Sequence, residues 1–264
     1  MININFKNLI IVLIACIVQF GLRLLDLNSK IIVWEIEFDL VLFILVYLYL
    51  KYIFIEINFK KSIQDNVSLK NIKQLLFYFF IPFILIAIVL LIGLSFNEIK
   101  LTEDKNIATN ILALVLDFPA VLVFSIFTIF IEEYFFRLLF FNNLVINSFK
   151  RILLSSLFFG LYFTLANTNL EFNIYQIVIS FLFAFSIGLS SIIVFRSTGN
   201  LLSSYLFRIG ILTSFPILLN SFDDKSFSLF ETSSNIFLYN GLVSSLFLML
   251  FAIFTNLKLK KNKL

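Results

Sequence analysis

The stretch "IFIEEYFFRLLFF", from Ile129 to Phe141, places three ionisable residues inside a run of aromatic and branched apolar side chains. The three are Glu132, Glu133 and Arg137. Apolar residues on both sides of a charge indicate surroundings without water, where an ionised group is stable only if it is paired or lines a polar cavity. The stretch therefore predicts a buried helix and a candidate site on that helix.

The chain as a whole is unusually apolar. Hydrophobic residues make up 61% of the 264 residues and charged residues 14%, and the mean hydropathy is +1.03. A soluble domain cannot bury so much apolar surface, and nearly uncharged runs of about 18 residues or more recur along the chain. We therefore predict an all-α, polytopic integral membrane helical bundle in the lipid bilayer of the cell membrane.

Eight apolar runs are long enough to be spans, and no linker divides them, so we predict a single transmembrane domain over residues 1–264. The runs cover residues 9–25, 32–57, 74–95, 112–141, 151–166, 172–195, 200–220 and 234–256. Thirteen Lys and Arg residues flank the N-terminus, the even-numbered loops and the C-terminus, against five at the odd-numbered loops. Because positive residues favour the cytoplasm, we predict that both termini are cytoplasmic.

Histidine and cysteine usage excludes several kinds of site. The chain has no histidine and a single cysteine, Cys16, which excludes an intrachain disulfide, a Ser–His–Asp triad and a cysteine metal cluster. The net charge of +4 comes from residues beside the predicted spans and does not indicate nucleic-acid binding. The sequence "LIAC", ending at Cys16, resembles a lipoprotein cleavage box, but the apolar run continues beyond it, which favours a buried residue of the first span.

Helical spacing predicts how the three ionisable residues pair. Glu133 and Arg137 are four residues apart, so they share one face of a helix and can form an ion pair. Glu132 points about 100° away from Glu133 and lies about 20 Å along the helix from Pro119, deep in the bilayer. An ion pair that only fixes helix packing explains Glu133 and Arg137, but it leaves Glu132 in need of a proton or a second cation.

The spacing E-E-x-x-x-R resembles the first motif of the CAAX-protease and bacteriocin-processing (CPBP, or Abi) family of intramembrane metalloproteases. The resemblance implies a bundle of about eight helices that hydrolyses peptide bonds next to a membrane-anchored, often prenylated, C-terminus. It also implies that the first glutamate activates a water and that the arginine orients the second glutamate. In the family, two histidines and an asparagine from the later motifs F-x-x-x-H and H-x-x-x-N complete a zinc or oxyanion site.

Two later stretches resemble these second and third motifs and extend the family-like core over about residues 112–220. The stretch "SSLFFGLYF", residues 155–163, is similar to the second motif and has Phe159 at the motif phenylalanine. The stretch "GLSSIIVFRSTGNLLSSYLFRIGIL", residues 188–212, is similar to the region of the third motif.

The expected ligand positions hold residues that cannot bind a metal. Phe163 and Arg208 stand where the resemblance places the two histidines, and Leu212 stands at the asparagine position. Phenylalanine has no lone pair to donate, and arginine keeps its proton at physiological pH. Because two carboxylates without imidazole are a poor zinc site, we predict no metal and no other cofactor.

Arg208 falls in the middle of a predicted span and needs a partner there. The resemblance places it across from Glu132, so we predict a Glu132–Arg208 pair beside Glu133–Arg137, in which the guanidinium replaces the charge of the metal. The alternative is that Arg208 extends to the membrane surface, about 12 Å away.

Three functions are compatible with these residues. A catalytically degenerate family member, a pseudoenzyme, would bind membrane-anchored polypeptides without cutting them, for scaffolding, sequestration or bacteriocin immunity. An active, metal-independent peptidase would use Glu132 as its acid–base group. A transporter would use the carboxylates as a proton or cation site, although no pair of inverted repeats with broken helices is evident. We favour the first, in which Glu132, Glu133 and Arg137 are the remnant of a hydrolytic centre.

Overall fold

The computed structural model describes residues 65–69, 71–97, 99–101, 129–130, 132–142, 147–167, 173–218, 230–232 and 241–261. These residues are almost entirely helical, which confirms the predicted fold class. The α-helices are α1 (Ile72–Ser95), α2 (Ser148–Asn167), α3 (Ile174–Thr198), α4 (Leu201–Leu218) and α5 (Ser244–Lys261). A π-helix covers Tyr134–Phe141, and two strands, β1 (Ile99–Leu101) and β2 (Phe230–Thr232), form one antiparallel pair.

Three helices in the described part of the chain are long and apolar enough to cross a membrane. They are Ile72–Ser95, Ile174–Thr198 and Gly241–Leu259, and a shorter apolar helix covers Leu201–Ser214. The chain is thus an apolar helical membrane protein, while the total of eight spans stays a prediction. The first two predicted spans lie outside the described residues, as does Cys16.

The helix boundaries follow from local capping chemistry. The side chain of Asn173 accepts a hydrogen bond from the backbone of Gln176, and the Gln176 side chain accepts one from the backbone of Asn173, which together form a capping box that starts α3. Gly199 ends α3 with φ of +62°, a left-handed conformation that favours glycine. The corner at Gly199 and Asn200 makes α3 and α4 antiparallel neighbours.

A glycine sets the packing of α4 against α1. A methyl group on Gly210 would lie 2.2 Å from the carbonyl oxygen of Phe79 and 3.1 Å from Cγ of Pro82. The two helix backbones therefore approach as closely as small residues permit in membrane helix packing. Arg208 precedes this contact by two residues, so the same crossing fixes where its backbone lies.

The starts of α1, α2 and α4 and the ends of α3 and α5 lie at one end of the bundle. Asn200 bonds the backbone of Ser68 twice: its Oδ1 accepts from the Ser68 N–H at 3.2 Å, and its Nδ2 donates to the Ser68 carbonyl at 2.6 Å. Ile152, Phe195 and Ala252 belong to one buried cluster and join α2, α3 and α5 there. The even-numbered loops of the predicted topology that the structure describes thus meet at this end.

The strand pair lies at the opposite end and was not predicted from the sequence. β1 follows α1, and Lys100 pairs with Glu231 in the antiparallel register. Ile99 is 2% exposed and packs with Ile86, Val89 and Leu90 of α1. This apolar contact anchors β1, and through it the pair, to the bundle.

Candidate active site

The motif pair Glu133–Arg137 is completely buried and makes two parallel hydrogen bonds. Arg137 Nε donates to Glu133 Oε2 at 3.1 Å, and Arg137 Nη2 donates to Glu133 Oε1 at 3.0 Å. Neither residue is exposed. The fork-to-fork arrangement is the favourable geometry for a carboxylate and a guanidinium, and it confirms the pair that the four-residue spacing predicted.

Arg208 reaches this pair from α4 and confirms the predicted contact with Glu132. Its Nη2 donates to Glu132 Oε2 at 2.6 Å, and its side chain is 3% exposed. The alternative in which Arg208 extends to the membrane surface is therefore wrong. Arg208 Nη1 also lies 3.4 Å from Glu133 Oε1, a second contact that the sequence did not predict. The four groups form one network, in which the guanidinium of Arg208 bridges both carboxylates.

Glu132 is the most accessible member of this four-residue charge cluster (Glu132, Glu133, Arg137 and Arg208). Its side chain is 13% exposed, compared with 0% for Glu133. The cluster has equal numbers of carboxylates and guanidiniums, so each buried charge has a counter-charge within hydrogen-bonding distance. Any molecule that reaches the cluster would meet the Glu132 carboxylate first.

Phe159 lies against both guanidiniums. The Cζ atoms of Arg137 and Arg208 are 5.2 Å and 4.8 Å from the centre of its fully buried ring. At these distances the ring face attracts a desolvated cation. Gly188 of α3 supports the ring from behind, because a methyl group there would lie 2.8 Å from Phe159 Cδ1. The motif phenylalanine thus packs against the charge cluster, a contact that the sequence analysis did not predict.

The helix that carries the motif is π-helical from Tyr134 to Phe141. Ser155 of α2 donates to the carbonyl of Phe136 at 3.1 Å and ties α2 to this segment. π-Helical turns are rare and occur preferentially at functional sites. The spacing of the apolar residues does not distinguish this conformation from an α-helix, so sequence analysis missed it.

The side chains at the other two expected ligand positions, Phe163 and Leu212, have different surroundings from the side chain of Arg208. Phe163 is half-buried and stacks on Phe159, with ring centroids 5.9 Å apart and planes 24° apart. Leu212 lies one turn beyond Arg208 and is 37% exposed. Of the three positions, Arg208 is the one whose side chain the structure brings to the carboxylates.

The charge cluster does not suit the zinc ion that the resemblance implies. The guanidinium of Arg208 occupies the space beside both carboxylates, and a guanidinium cannot donate a lone pair to a metal. Within the residues that the structure describes, no three Asp, Glu, Cys or His side chains come together in a group that could hold a metal ion. Two carboxylates provide fewer protein ligands than the three or four that a zinc site uses.

One family model matches the part of the chain that contains the E-E-x-x-x-R motif and the three positions Phe163, Arg208 and Leu212. Residues 114–212 match the Rce1-like family, described as type II CAAX prenyl endopeptidase Rce1-like. This match confirms the resemblance that the sequence motifs predicted, and it lies within the predicted core of residues 112–220. No curated protein and no solved structure matches the chain.

Proposed function

We propose that this protein is a catalytically degenerate relative of the CAAX endopeptidases, which binds a membrane-anchored polypeptide without metal-dependent cleavage. The observation that carries this function is the position of the Arg208 guanidinium, 2.6 Å from Glu132 and 3.4 Å from Glu133. In the family that the chain resembles, a histidine would stand at this position and would bind zinc.

The arginine works against hydrolysis in two ways. It excludes a cation from the space next to the carboxylates, so no metal-bound water can be activated there. It also holds Glu132 in an ion pair, so the carboxylate oxygen Oε2 already accepts a hydrogen bond from Arg208 and is not free to bind a water molecule. A protein that cannot activate a water molecule for hydrolysis can still retain a surface that binds the substrate class of its family.

The substrate class of the family suggests the ligand. A membrane-anchored polypeptide with an apolar or prenylated segment would approach through the bilayer, and Glu132, the partly accessible carboxylate, would accept hydrogen bonds from its backbone amides. Scaffolding, sequestration and bacteriocin-type self-immunity are roles that such binding would serve.

We place the protein in the cell membrane as a multi-pass bundle with cytoplasmic termini. The end of the bundle where Ser68 meets Asn200 carries the exposed basic residues Lys73, Lys150 and Lys258. Clustering of Lys and Arg at one end supports a cytoplasmic location for that end.

Two measurements on the purified protein in lipid nanodiscs test this function. Metal analysis by mass spectrometry should find no stoichiometric zinc, and a fluorescent farnesylated peptide with a CAAX-type terminus should bind without being cleaved. Replacing Glu132 by Gln should weaken binding, while replacing the exposed Leu246 by Ala serves as a control. One equivalent of tightly held zinc that is lost in the Glu132 variant would contradict the proposal. Cleavage without zinc, abolished in the same variant, would instead indicate a metal-independent glutamate peptidase.

A further inference from the structure

The end of α5 carries a cluster of lysines that the candidate active site does not use. The stretch "LKLKKNKL", residues 257–264, places four positive charges within six positions, at Lys258, Lys260, Lys261 and Lys263. The helix continues through Lys261, beyond the candidate membrane span Gly241–Leu259. This lysine cluster therefore begins where the apolar part of the helix stops, which is the level of the lipid headgroups.

An exposed apolar stripe runs along α5 toward the lysine cluster. Its members recur at spacings of three and four residues, so they share one face of the helix. They are 47% to 68% exposed, and they are Leu246, Leu250, Ile253, Phe254 and Leu257. On the opposite face, Leu248 and Ala252 are each 2% exposed and belong to the buried core. The stripe is thus the side of α5 that faces away from the described core of the bundle.

The lysine cluster continues this stripe rather than the buried face. Lys258 stands four residues after a member of the stripe and is itself exposed, and positions 260 and 261 follow Leu257 by three and four residues. Leu259 follows the buried Ala252 by seven residues, so the apolar residue between the lysines falls on the bundle side. The outer face of α5 therefore changes from apolar to positively charged at the end of the helix.

The segment that carries the lysine cluster contains no counter-charge. Residues 241–264 include no Asp and no Glu, and the helix dipole stabilises cations at this end of a helix. Four acidic residues lie in the described part of the chain. Glu132 and Glu133 are in the four-residue charge cluster, Glu231 is in β2 at the opposite end, and Asp65 is exposed. The lysine cluster thus has the charge that complements an anionic surface.

We propose that the end of α5 is a docking surface for the headgroups of anionic lipids. Groups of four or more Lys or Arg residues directly after a membrane helix attract the anionic lipids of the adjacent leaflet. The apolar stem of a lysine can lie along the exposed stripe while its ammonium group reaches a phosphate. The surface uses none of the four residues of the charge cluster, so it does not depend on the proposed binding of a polypeptide.

Native mass spectrometry of the purified protein, released from nanodiscs of mixed phosphatidylglycerol and phosphatidylcholine, tests this surface. The wild-type protein should retain phosphatidylglycerol in preference to phosphatidylcholine. The substitution Lys258→Gln/Lys260→Gln/Lys261→Gln/Lys263→Gln should lower that preference by about tenfold or more, because each lost charge weakens the attraction several-fold. Arginine at the same four positions keeps the charge and should keep the preference. An unchanged preference in the Gln variant, with the circular dichroism of the wild type, would overturn the proposal.

A matched pair of variants separates this surface from general surface charge. Lys260→Gln/Lys261→Gln removes two charges from the lysine cluster, and Lys73→Gln/Lys150→Gln removes two from exposed positions at the starts of α1 and α2. Neighbouring charges reinforce one another's potential, so the first variant should lower the phosphatidylglycerol preference about fivefold and the second by less than about twofold. Equal losses in the two variants would overturn the proposal, since the preference would then come from diffuse surface charge.

Discussion

Arg208 Nη2 lies 2.6 Å from Glu132 Oε2, although the two residues are 76 positions apart in the chain. The contact joins α4 to the motif helix in the apolar interior, where an ionised side chain has no water to stabilise it. Each of the two residues neutralises the charge of the other. Either residue without the other would leave a buried charge unpaired, so substitutions at the two positions should not act independently.

Replacing Arg208 by Ala should destabilise the bundle by about 3–5 kcal/mol, because one deep carboxylate loses its cation. Unfolding by SDS in mixed micelles, followed by circular dichroism, measures the change. Leu212→Ala, one turn further along and exposed, is the control and should cost less than about 1 kcal/mol. Equal effects of the two substitutions would show that the Arg208 ion pair contributes no stability.

Restoring the family's ligand set should create metal affinity. The triple substitution Phe163→His/Arg208→His/Leu212→Asn removes the bridging guanidinium, puts an imidazole at the position that contacts Glu132, and adds a second imidazole next to Phe159. We expect about one equivalent of zinc per protein by mass spectrometry after dialysis, compared with none for the wild-type protein. The double substitution that leaves Arg208 in place, Phe163→His/Leu212→Asn, should remain without zinc. Zinc bound equally by both variants would mean that Arg208 is not the obstacle to metal binding.

Replacing Gly188 by Ala should disturb the charge cluster indirectly. The added methyl group would lie 2.8 Å from Phe159 Cδ1, so the ring that contacts both guanidiniums has to move. Overpacking of this kind costs about 1–3 kcal/mol, measurable in the same unfolding assay. Reducing the ring in the double variant Gly188→Ala/Phe159→Leu should recover part of the loss. A Gly188→Ala protein as stable as the wild type would indicate that the ring can shift freely.

Removing the Asn200 side chain should loosen the connection between the start of α1 and the α3–α4 corner. Asn200→Ala deletes both bonds to the Ser68 backbone and the cap on the Leu202 N–H, at a cost of about 1–3 kcal/mol. Hydrogen exchange at the Ser68 amide should accelerate in proportion to the loss of local stability. Asn200→Asp keeps the acceptor and loses the donor, so its effect should be smaller. Unchanged exchange in the Ala variant would argue against a role for this contact.

The predicted topology can be tested with reporters. A reporter that is active in the cytoplasm should be active when fused after Leu264, because the basic residues of the even-numbered loops favour that side. A reporter that requires export should be inactive at the same position and active when inserted near Asn97, beyond the end of α1. The opposite pattern of reporter activity would show that the orientation is the reverse of the predicted one.

The sequence predicted those parts of the structure that hydropathy and the cost of buried charge determine. The bounds of α1 to α4 lie within three residues of the predicted spans, because capping residues and apolar runs define helix ends locally. The Glu132–Arg208 contact was predictable because a mid-span arginine and an unpaired mid-span glutamate each require a partner, and the family resemblance placed the two positions across from each other.

Features set by three-dimensional packing escaped prediction. The contact of Arg208 with Glu133 depends on how closely α4 approaches the motif helix, and the spacing of residues along the chain does not determine that distance. The position of Phe159 between the guanidiniums and Gly188 likewise needs two further helices in place. The pairing of β1 with β2 joins two loop segments that carry no alternating apolar pattern long enough to indicate strands.

Electroneutrality of the four-residue charge cluster has a consequence for a protein in an energised membrane. A transmembrane potential does work on a net charge, about 2.3 kcal/mol per elementary charge for each 100 mV crossed. Two carboxylates and two guanidiniums sum to zero, so voltage exerts no net force on the cluster. Replacing either glutamate with a neutral residue would leave one uncompensated positive charge and would couple the motif helix to the field.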